Sequence, residues 1–373
     1  MRILSLEAES FRNLEPLRLE PHERFNIFEG ANGQGKTNVL ESIYLLGALK
    51  SFRESKVSSL VRTDTSSAVV RGEVELRGLK RKLAVELVGN TRRAALDGDV
   101  VTRLGDYFGH LYVVVFAPDD LTLTKGAAGG RRRFLDRAIF NVQPAYLEET
   151  RAYLKALKHR NDLLRRPMVD PILLQTFDEM LIIHGARILR RRLSFLELFI
   201  PVFKEVFTEI TGGDHQANMR YQSGVFSGDS VSEGPPELEH LQEVFAERLA
   251  AKAQAEQRRG HTIVGPHSDD LLLEIDGHAA RGHASQGQHR AFALALKIAE
   301  LRTIREATEI EPILLLDDVS SELDEARNQA LMAYLDQAGG QVFVTTTDRR
   351  WIQVTDASRV YEVQGGEVTL STG

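Results

Sequence analysis

The sequence predicts an α/β chain: one mixed domain assembled from both chain ends, with a helical insertion between them. Three observations predict it. A strand-type run, "RFNIF" (24–28), leads through a glycine-rich stretch into an apolar-periodic helix. Near the other end lie two more buried-type runs, "PILLLDD" (312–318) and "QVFVTTTD" (341–348). Between them, from Arg131 to about Ile210, apolar residues keep helical spacing.

Taken in order, "RILSLEAESFRNLEPLRLEPHERFNIFEG" reads as short strands with turns at Arg12-Asn13 and Pro21-His22. The helix "KTNVLESIYLLGALKSF" follows, with Val39, Leu40, Ile43, Tyr44 and Leu46 on one face. Residues 68–117 read as β, with a turn at Asp97-Gly98 and the buried-type run "LYVVVFAP". The helical stretch that comes next is broken at Pro167–Pro171. Residues 223–237 form a polar loop and 238–259 a helix. Then come the strand "DLLLEID", a helix over 288–307 and the two late strands. The predicted division is a discontinuous domain, 1–138 with 262–373, and a helical arm, 139–261. Arm helices of about 20–30 residues would extend roughly 30–45 Å.

Composition sets the class. Hydrophobic residues at 42% and charged residues at 27% suit a soluble globular protein, and 373 residues suffice for two domains. There is no cysteine, which excludes disulfide and thiol chemistry and fits a reducing compartment. The opening reaches Glu7 too soon for a signal peptide, and no apolar run approaches a membrane span. A cytoplasmic protein without a membrane partner is expected. The net charge is −6, yet residues 151–192 carry 10 Lys/Arg against 4 Asp/Glu. That local +6 leaves −12 for the rest, so any anion-binding surface is expected in one region.

Gly30-Ala31-Asn32-Gly33-Gln34-Gly35-Lys36-Thr37 matches the phosphate-binding pattern GxxxxGK[ST], set between a strand and a helix as that motif requires. The glycines let the backbone curl so that successive N–H groups face phosphate oxygens, and the helix N-terminus adds its dipole. Lys36 supplies a point charge to the phosphates of ATP, and Thr37 a hydroxyl to Mg²⁺. Ile313–Leu316 is a buried strand ending in Asp317 and Asp318. A doubly wound sheet puts such strand ends in the nucleotide crevice. Asp317 is expected to hold Mg²⁺ through water, and Asp318 to polarise an attacking water.

Ser285-Gln286-Gly287-Gln288 opens the helix over 288–307 and fits the signature turn of ABC-type ATPases. Alone it reads as a plain helix cap. Beside a P-loop and a double Asp it reads as half of a composite site. Two copies pack head to tail, and each offers Ser285 and the Gly287 amide to the other's γ-phosphate. Ser321-Glu322-Leu323-Asp324 fits the loop that crosses such a seam. Thr347 lies where most of these ATPases carry a switch histidine. A threonine can hydrogen-bond a phosphate or water but cannot shuttle a proton, so slow, switch-like hydrolysis is expected.

Five blocks in order carry a resemblance: "GANGQGKTNVLESIYLLGALKSFR", "FAPDDLTLTKGAAGGRRRFLD", "VGPHSDDLLLEIDG", "ASQGQHRAFALALKIAELRTI" and "ILLLDDVSSELD". They resemble the RecF family, relatives of the Rad50 and SMC heads. The resemblance implies an ABC-type, Rad50/SMC-like P-loop ATPase head with a short helical arm. It also implies a weak, DNA-stimulated ATPase that dimerises on ATP and binds double-stranded and gapped DNA. With RecO and RecR, such proteins promote RecA loading onto strand coated by single-stranded-DNA-binding protein, in gap repair and the SOS response. The family's nucleotide site falls on Asn32–Thr37, Asp317 and Asp318, and its trans signature on Ser285–Gln288. By the same resemblance Arg12 of "SFRN" reaches the nucleotide phosphates. Two departures stand out: Ser268 replaces an expected basic residue in "GPHSDD", and the Q-loop glutamine has no clear counterpart near "FAPDDL".

The basic excess of the arm makes Lys155, Lys158, Arg187, Arg190 and Arg191 the expected DNA contacts, through phosphates and not bases. Lys155 and Lys158 belong to a run that also holds Arg160, Arg165 and Arg166, and Arg192 extends the other. A solvated basic face is the competing reading, and the top of the head is the competing surface. A membrane-importer ATPase subunit is the rival function, disfavoured by the missing switch histidine and the size of the insertion.

Overall fold

Alternation of buried and exposed side chains makes β1 (Arg2–Glu9) and β4 (Ser67–Leu76) one-sided strands. They pair antiparallel with β2 (Leu17–Leu19), β5 (Leu79–Val88), β6 (Thr91–Leu96) and β7 (Asp99–Val100) in the order β2-β1-β4-β5-β6-β7. Asp97 and Gly98, both at positive φ, turn β6 into β7. The computed structural model describes residues 1–54, 56–226, 234–318, 323–352, 354 and 357–371, with Leu121 by its backbone alone.

The second sheet is built from both chain ends, as the sequence predicts. Its order is β15-β14-β3-β13-β12-β8, from β3 (Phe25–Glu29), β8 (Val113–Phe116), β12 (Ile313–Asp317), β13 (Val342–Thr346), β14 (Ser358–Gln364) and β15 (Glu367–Leu370). All strands are parallel except β15. Every residue of β8, β12 and β13 is buried, which is why these strands read as unbroken apolar runs. Helix α1 (Lys36–Ala48) packs against β4 and β5 on one side and β8, β12 and β13 on the other. Hence it is buried around nearly its whole circumference from Val39 to Gly47.

The chain separates into two compact units, Met1–Leu121 with Glu300–Gly373 and Thr122–Ala299. The second holds α2 (Ala128–Val142), α3 (Tyr146–Leu164), α4 (Pro171–Thr211), α5 (Leu238–Arg259), α6 (Ala280–His283) and most of α7 (Gln286–Thr308). It also holds a small sheet, β9 (Ala217–Gln222), β10 (Asp270–Ile275) and β11 (His278–Ala279). The break at Pro167–Pro171 is where expected: Asp170 caps α4 by accepting from the Ile172 and Leu173 amides, with Pro171 in the first turn. A second break, around Pro144, separates α2 from α3; proline lacks the N–H that would carry α2 onward.

One helix of this unit is longer than the sequence suggested. Helix α4 runs 41 residues, about 60 Å, straight through Pro201. Pro201 and Glu197, whose carbonyl loses its partner, are both on the exposed face, where water can solvate that oxygen. The opposite face is pinned by Phe195, Phe199, Phe203 and Phe207, with ring centroids 5.2–6.4 Å apart along the row. Among the described residues no helix is long and apolar enough to cross a membrane.

His267 links this unit's stability to pH. Its Nδ1 accepts from the Tyr153 hydroxyl at 2.6 Å and its Nε2 donates to the Thr262 carbonyl at 3.2 Å. Burial lowers its pKa, and His184 and His289 shift the same way. The unfolded chain therefore takes up protons near the ordinary histidine value while the folded unit resists them. Stability is full above that value and falls as pH drops below it. Denaturant unfolding at pH 7.5 and 5.5 should show a lower midpoint at 5.5, and a smaller difference in His267→Gln.

Candidate functional site

The register of the parallel sheet sets the site. Thr346 lies opposite Glu29 and Thr345 opposite Asp317, so the ends of β3, β13 and β12 are level. The glycine-rich loop leaves β3 there and closes on α1 with Gly33 and Gly35 at positive φ. Lys36 is 5% exposed, and its Nζ donates to the carbonyls of Gly30 (2.7 Å) and Ala31 (2.9 Å). Burial lowers its pKa, opposed by the nearby carboxylates of Asp318 and Asp317. Thr37 Oγ1 donates to Asp317 Oδ1 at 2.7 Å, although the two are 280 residues apart. Asp317 is 6% exposed; burial raises its pKa, and the hydroxyls of Thr37 and Thr345 pull it back.

Thr345 was not singled out by sequence reasoning, yet it ties the Asp317 carboxylate to the backbone of Asp318. Its hydroxyl donates to Asp317 Oδ1 (3.0 Å) and accepts from the Asp318 amide (2.9 Å). Asp318 sits in the left-handed region at φ 51°. Thr347 is exposed one residue beyond β13. Of the expected seam loop, Ser321 and Glu322 lie outside the described residues. Asp324 caps α8 (Glu325–Ala338) by accepting from the Arg327 amide. The oxygens of Thr37 and Asp317 suit a hard cation that keeps water and phosphate as its other ligands. Among the described residues no group of three or more His, Asp or Glu is placed to hold a metal by itself.

A strap from the chain's far end braces the loop. In the β14–β15 turn, the Gly365 amide donates to Gln34 Oε1 (2.6 Å) and the Gly366 amide to the Gln34 carbonyl (2.8 Å). The Glu15 amide closes on the Gly366 carbonyl at 2.9 Å. Backbones approach so closely that a Cβ on Gly366 would stand 2.0 Å from the Asn13 oxygen. A Cβ on Gly30 would stand 2.3 Å from that of Val363. Gly366→Ala must push the turn away and release Gln34. ATP affinity should fall about tenfold, the value of one displaced charge-assisted hydrogen bond, in titration with a fluorescent ATP analogue.

Arg12, at φ 55°, is held as a fork on Glu41: Nε to Oε2 at 2.8 Å and Nη2 to Oε1 at 2.9 Å. Glu41 is fully buried on α1 and also accepts from the Ser51 hydroxyl. Arg12 lines an open groove of about 550 Å³ with Asn13, Asn38, Arg53 and Arg62. Arg53 is exposed and close enough to Asp317 to lower its pKa, a neighbour that sequence reasoning missed.

In the other unit, Ser285 caps α7 reciprocally with Gln288. The Ser285 amide donates to Gln288 Oε1 (2.7 Å), and the Gln288 amide donates to Ser285 Oγ (3.2 Å). Since Ser285 Oγ is the acceptor, its own O–H stays available. Ser285 and Gln286 are exposed, Gly287 and Gln288 half-buried.

The basic run of the arm is divided by helical phase. Lys155, Lys158 and Arg187 are exposed and make no hydrogen bond or ion pair with a described residue. Arg190 reaches Glu237 at 3.4 Å. Arg191 is forked onto Glu149 (2.6 and 3.1 Å) and bonded to Gln143 (2.6 Å). Arg160 and Arg192, which the basic excess had included, are buried. Arg160 meets Asp178, Glu256 and Thr262. Arg192 meets Asp136, Tyr146, Tyr221 and the Pro266 carbonyl. Their charges are spent inside the unit and are not available to DNA.

The family model RecF/RecN/SMC N terminal domain matches residues 2–369. The chain is 43% identical over 373 residues to the DNA replication and repair protein RecF of Myxococcus xanthus, covering 99% of this chain and 97% of that protein. It is 45% identical to the RecF protein of Anaeromyxobacter sp. strain Fw109-5, covering 99% of both. The chain belongs to the RecF family. Its fold matches the solved structure of the recombination mediator protein RecF-ATPrS in the RecFOR pathway with a TM-score of 0.90 and 31% identity, over 99% of this chain and 98% of that one. The Smc head domain from Pyrococcus furiosus shares the fold alone, at a TM-score of 0.56 and 16% identity. The α/β, SMC-like ATPase-head fold that the sequence predicted is therefore borne out. In this RecF-family chain Ser268 is exposed and donates to the Gly265 carbonyl, a local turn bond.

Proposed function

We propose that this chain is a DNA replication and repair ATPase that dimerises on ATP and clamps double-stranded or gapped DNA. The observation that carries the reading is the meeting of Thr37 and Asp317 at 2.7 Å beneath a strapped P-loop, in a fold that matches ATP-bound RecF along the whole chain.

In this reading residues 1–138 with 262–373 act as the ATPase head and 139–261 as the arm. The amides of Asn32–Gly35 and the ammonium of Lys36 bind the β- and γ-phosphates. Thr37 and Asp317 would hold Mg²⁺, which would supply positive charge to the phosphates. Asp318 orients and polarises the attacking water, and Thr347 hydrogen-bonds the γ-phosphate or that water. Ser285 and the Gly287 amide of a second copy close the site from the other side, with Gln286 and Gln288 shaping the turn. Arg12, forked onto Glu41, reaches the nucleotide phosphates. Hydrolysis removes the γ-phosphate that joins the copies, so the dimer opens. Hydrolysis is slow because no histidine stands at position 347, and DNA stimulates it.

Lys155, Lys158, Arg187 and Arg190 supply phosphate contacts; Arg191 takes part only if it leaves Glu149. Lys155→Ala and Lys158→Ala should each weaken duplex binding uniformly across sequences and lower the salt slope by about one. With RecR and RecO the chain promotes RecA loading onto strand coated by single-stranded-DNA-binding protein, in the cytoplasm, during gap repair and the SOS response.

Anisotropy of a labelled duplex, titrated with and without ATP-Mg²⁺ in an Asp318→Asn background, tests the reading. ATP should tighten binding, and Ser285→Arg should remove that gain. Equal affinity with and without ATP would reject the clamp.

A further inference from the structure

The signature turn does not stand alone. Gln288, half of the reciprocal cap, extends its amide to the His215 ring, with Gln288 Nε2 at 3.2 Å from His215 Nε2 and 3.4 Å from Nδ1. His215 Nδ1 lies 2.8 Å from Asp276 Oδ2. Asp276 Oδ1 in turn accepts from the Gln216 amide at 2.8 Å.

Donor and acceptor roles along this row are fixed by elimination. The Ser285 amide can only donate, so the oxygen of the Gln288 side chain faces it and the NH₂ faces His215. An ionised Asp276 can only accept, so His215 donates to it from Nδ1; in the neutral imidazole Nε2 is then the ring nitrogen that can accept from Gln288. The Gln216 amide, then His215, hold the Asp276 carboxyl below its usual range, which keeps it an acceptor. Each bond orients the next, and the row ends on the serine proposed to touch a partner's nucleotide. Asp276 itself is fixed at φ 52° in the turn between β10 and β11. His215 follows α4 by four residues, after the Gly212 cap.

We infer that His215, held by Asp276, is a positioning residue for the signature: it sets the Gln288 amide and so the cap that presents Ser285. This rests on the reading of Ser285–Gln288 as the trans contact. With the Gln288 amide released, the side chain can rotate, and the Ser285 amide loses its acceptor. The serine hydroxyl then no longer has one fixed direction. A site assembled across two chains depends on such orientation more than a site within one chain, because association already costs freedom of motion.

The test measures ATP-dependent dimerisation by sedimentation, in the Asp318→Asn background, alongside binding of a fluorescent ATP analogue to the single chain. His215→Phe should weaken dimerisation about tenfold, the worth of one well-placed hydrogen bond, and leave nucleotide binding to the P-loop unchanged. His215→Gln should restore dimerisation, because its NH₂ can donate to Asp276 and its oxygen can accept from Gln288. Ser285→Arg separates the two ideas. If Ser285→Arg abolishes dimerisation and His215→Phe does not weaken it, the positioning role is wrong. If Ser285→Arg dimerises like the parent, the trans reading fails and takes this inference with it. Independently, NMR of ring-labelled histidine should report His215 as the Nδ1–H tautomer and lose that signature in Asp276→Ala. An Nε2–H tautomer in the parent chain would overturn the assignment.

Discussion

Lys36→Ala is expected to weaken ATP binding about a hundredfold while leaving the fold intact. Lys36 is a buried cation facing two carboxylates, and its protein hydrogen bonds run to the carbonyls of its own loop. Desolvation disfavours its charge, and Asp317 and Asp318 restore it, so the ammonium is held ready for an anion. Without it, triphosphate would approach two carboxylates with no counter-charge between them. Two charge-assisted hydrogen bonds at about 1.5 kcal/mol each amount to about 3 kcal/mol, or roughly a hundredfold in affinity. The measurement is titration of a fluorescent ATP analogue into both proteins, with circular dichroism as the check on folding. An affinity within about threefold of the parent would place the phosphates elsewhere.

Arg192→Ala should have the largest effect on stability, about 3–5 kcal/mol. Arg192 is 3% exposed and satisfies Asp136 (2.7 Å), the hydroxyls of Tyr146 (3.0 Å) and Tyr221 (2.9 Å), and the Pro266 carbonyl (2.7 Å). Tyr221 passes the network on to Asp269 at 2.8 Å, a carboxyl whose pKa burial already raises. Truncation leaves the Tyr221 hydroxyl and the buried Asp269 carboxyl without the cation beside them, takes one partner from Asp136, and leaves a cavity as well. Arg187→Ala is the control on the same helix: exposed and without an ion pair among the described residues, it should change stability by no more than about 0.5 kcal/mol. Denaturant midpoints of the two variants, compared with the parent, decide the matter.

These two residues mark where the sequence was legible and where it was not. Lys36 was readable because phosphate binding imposes a local string, with glycines to curl the loop and Lys-Thr where the helix begins. Asp317 and Asp318 were readable because they end a strand too apolar to be anything but central. Arg192 was not, because Arg190, Arg191 and Arg192 are consecutive and a helix turns about 100° per residue, so one of three must face inward. Composition counts all three alike; only the phase set by Leu189, Leu196 and Phe199 tells which is buried. Pro201 lies inside the stretch read as helical, and its place on the solvated face removes most of the cost of keeping it there. The Gly365-Gly366 strap and Thr345 are contacts between residues hundreds of positions apart or hidden inside a strand, and no local spacing announces them.

The central claim is that the active site is shared between two chains, and mixing two inactive chains tests it most directly. Lys36→Ala lacks a working P-loop but keeps Ser285; Ser285→Arg keeps the P-loop but cannot serve a partner. Each alone should fail to hydrolyse ATP. In an equal mixture, half of the dimers pair one of each and contain one intact composite site. Hydrolysis should therefore return to roughly a quarter of the parent rate. Activity that stays at the level of the separate variants would contradict a site built across two chains.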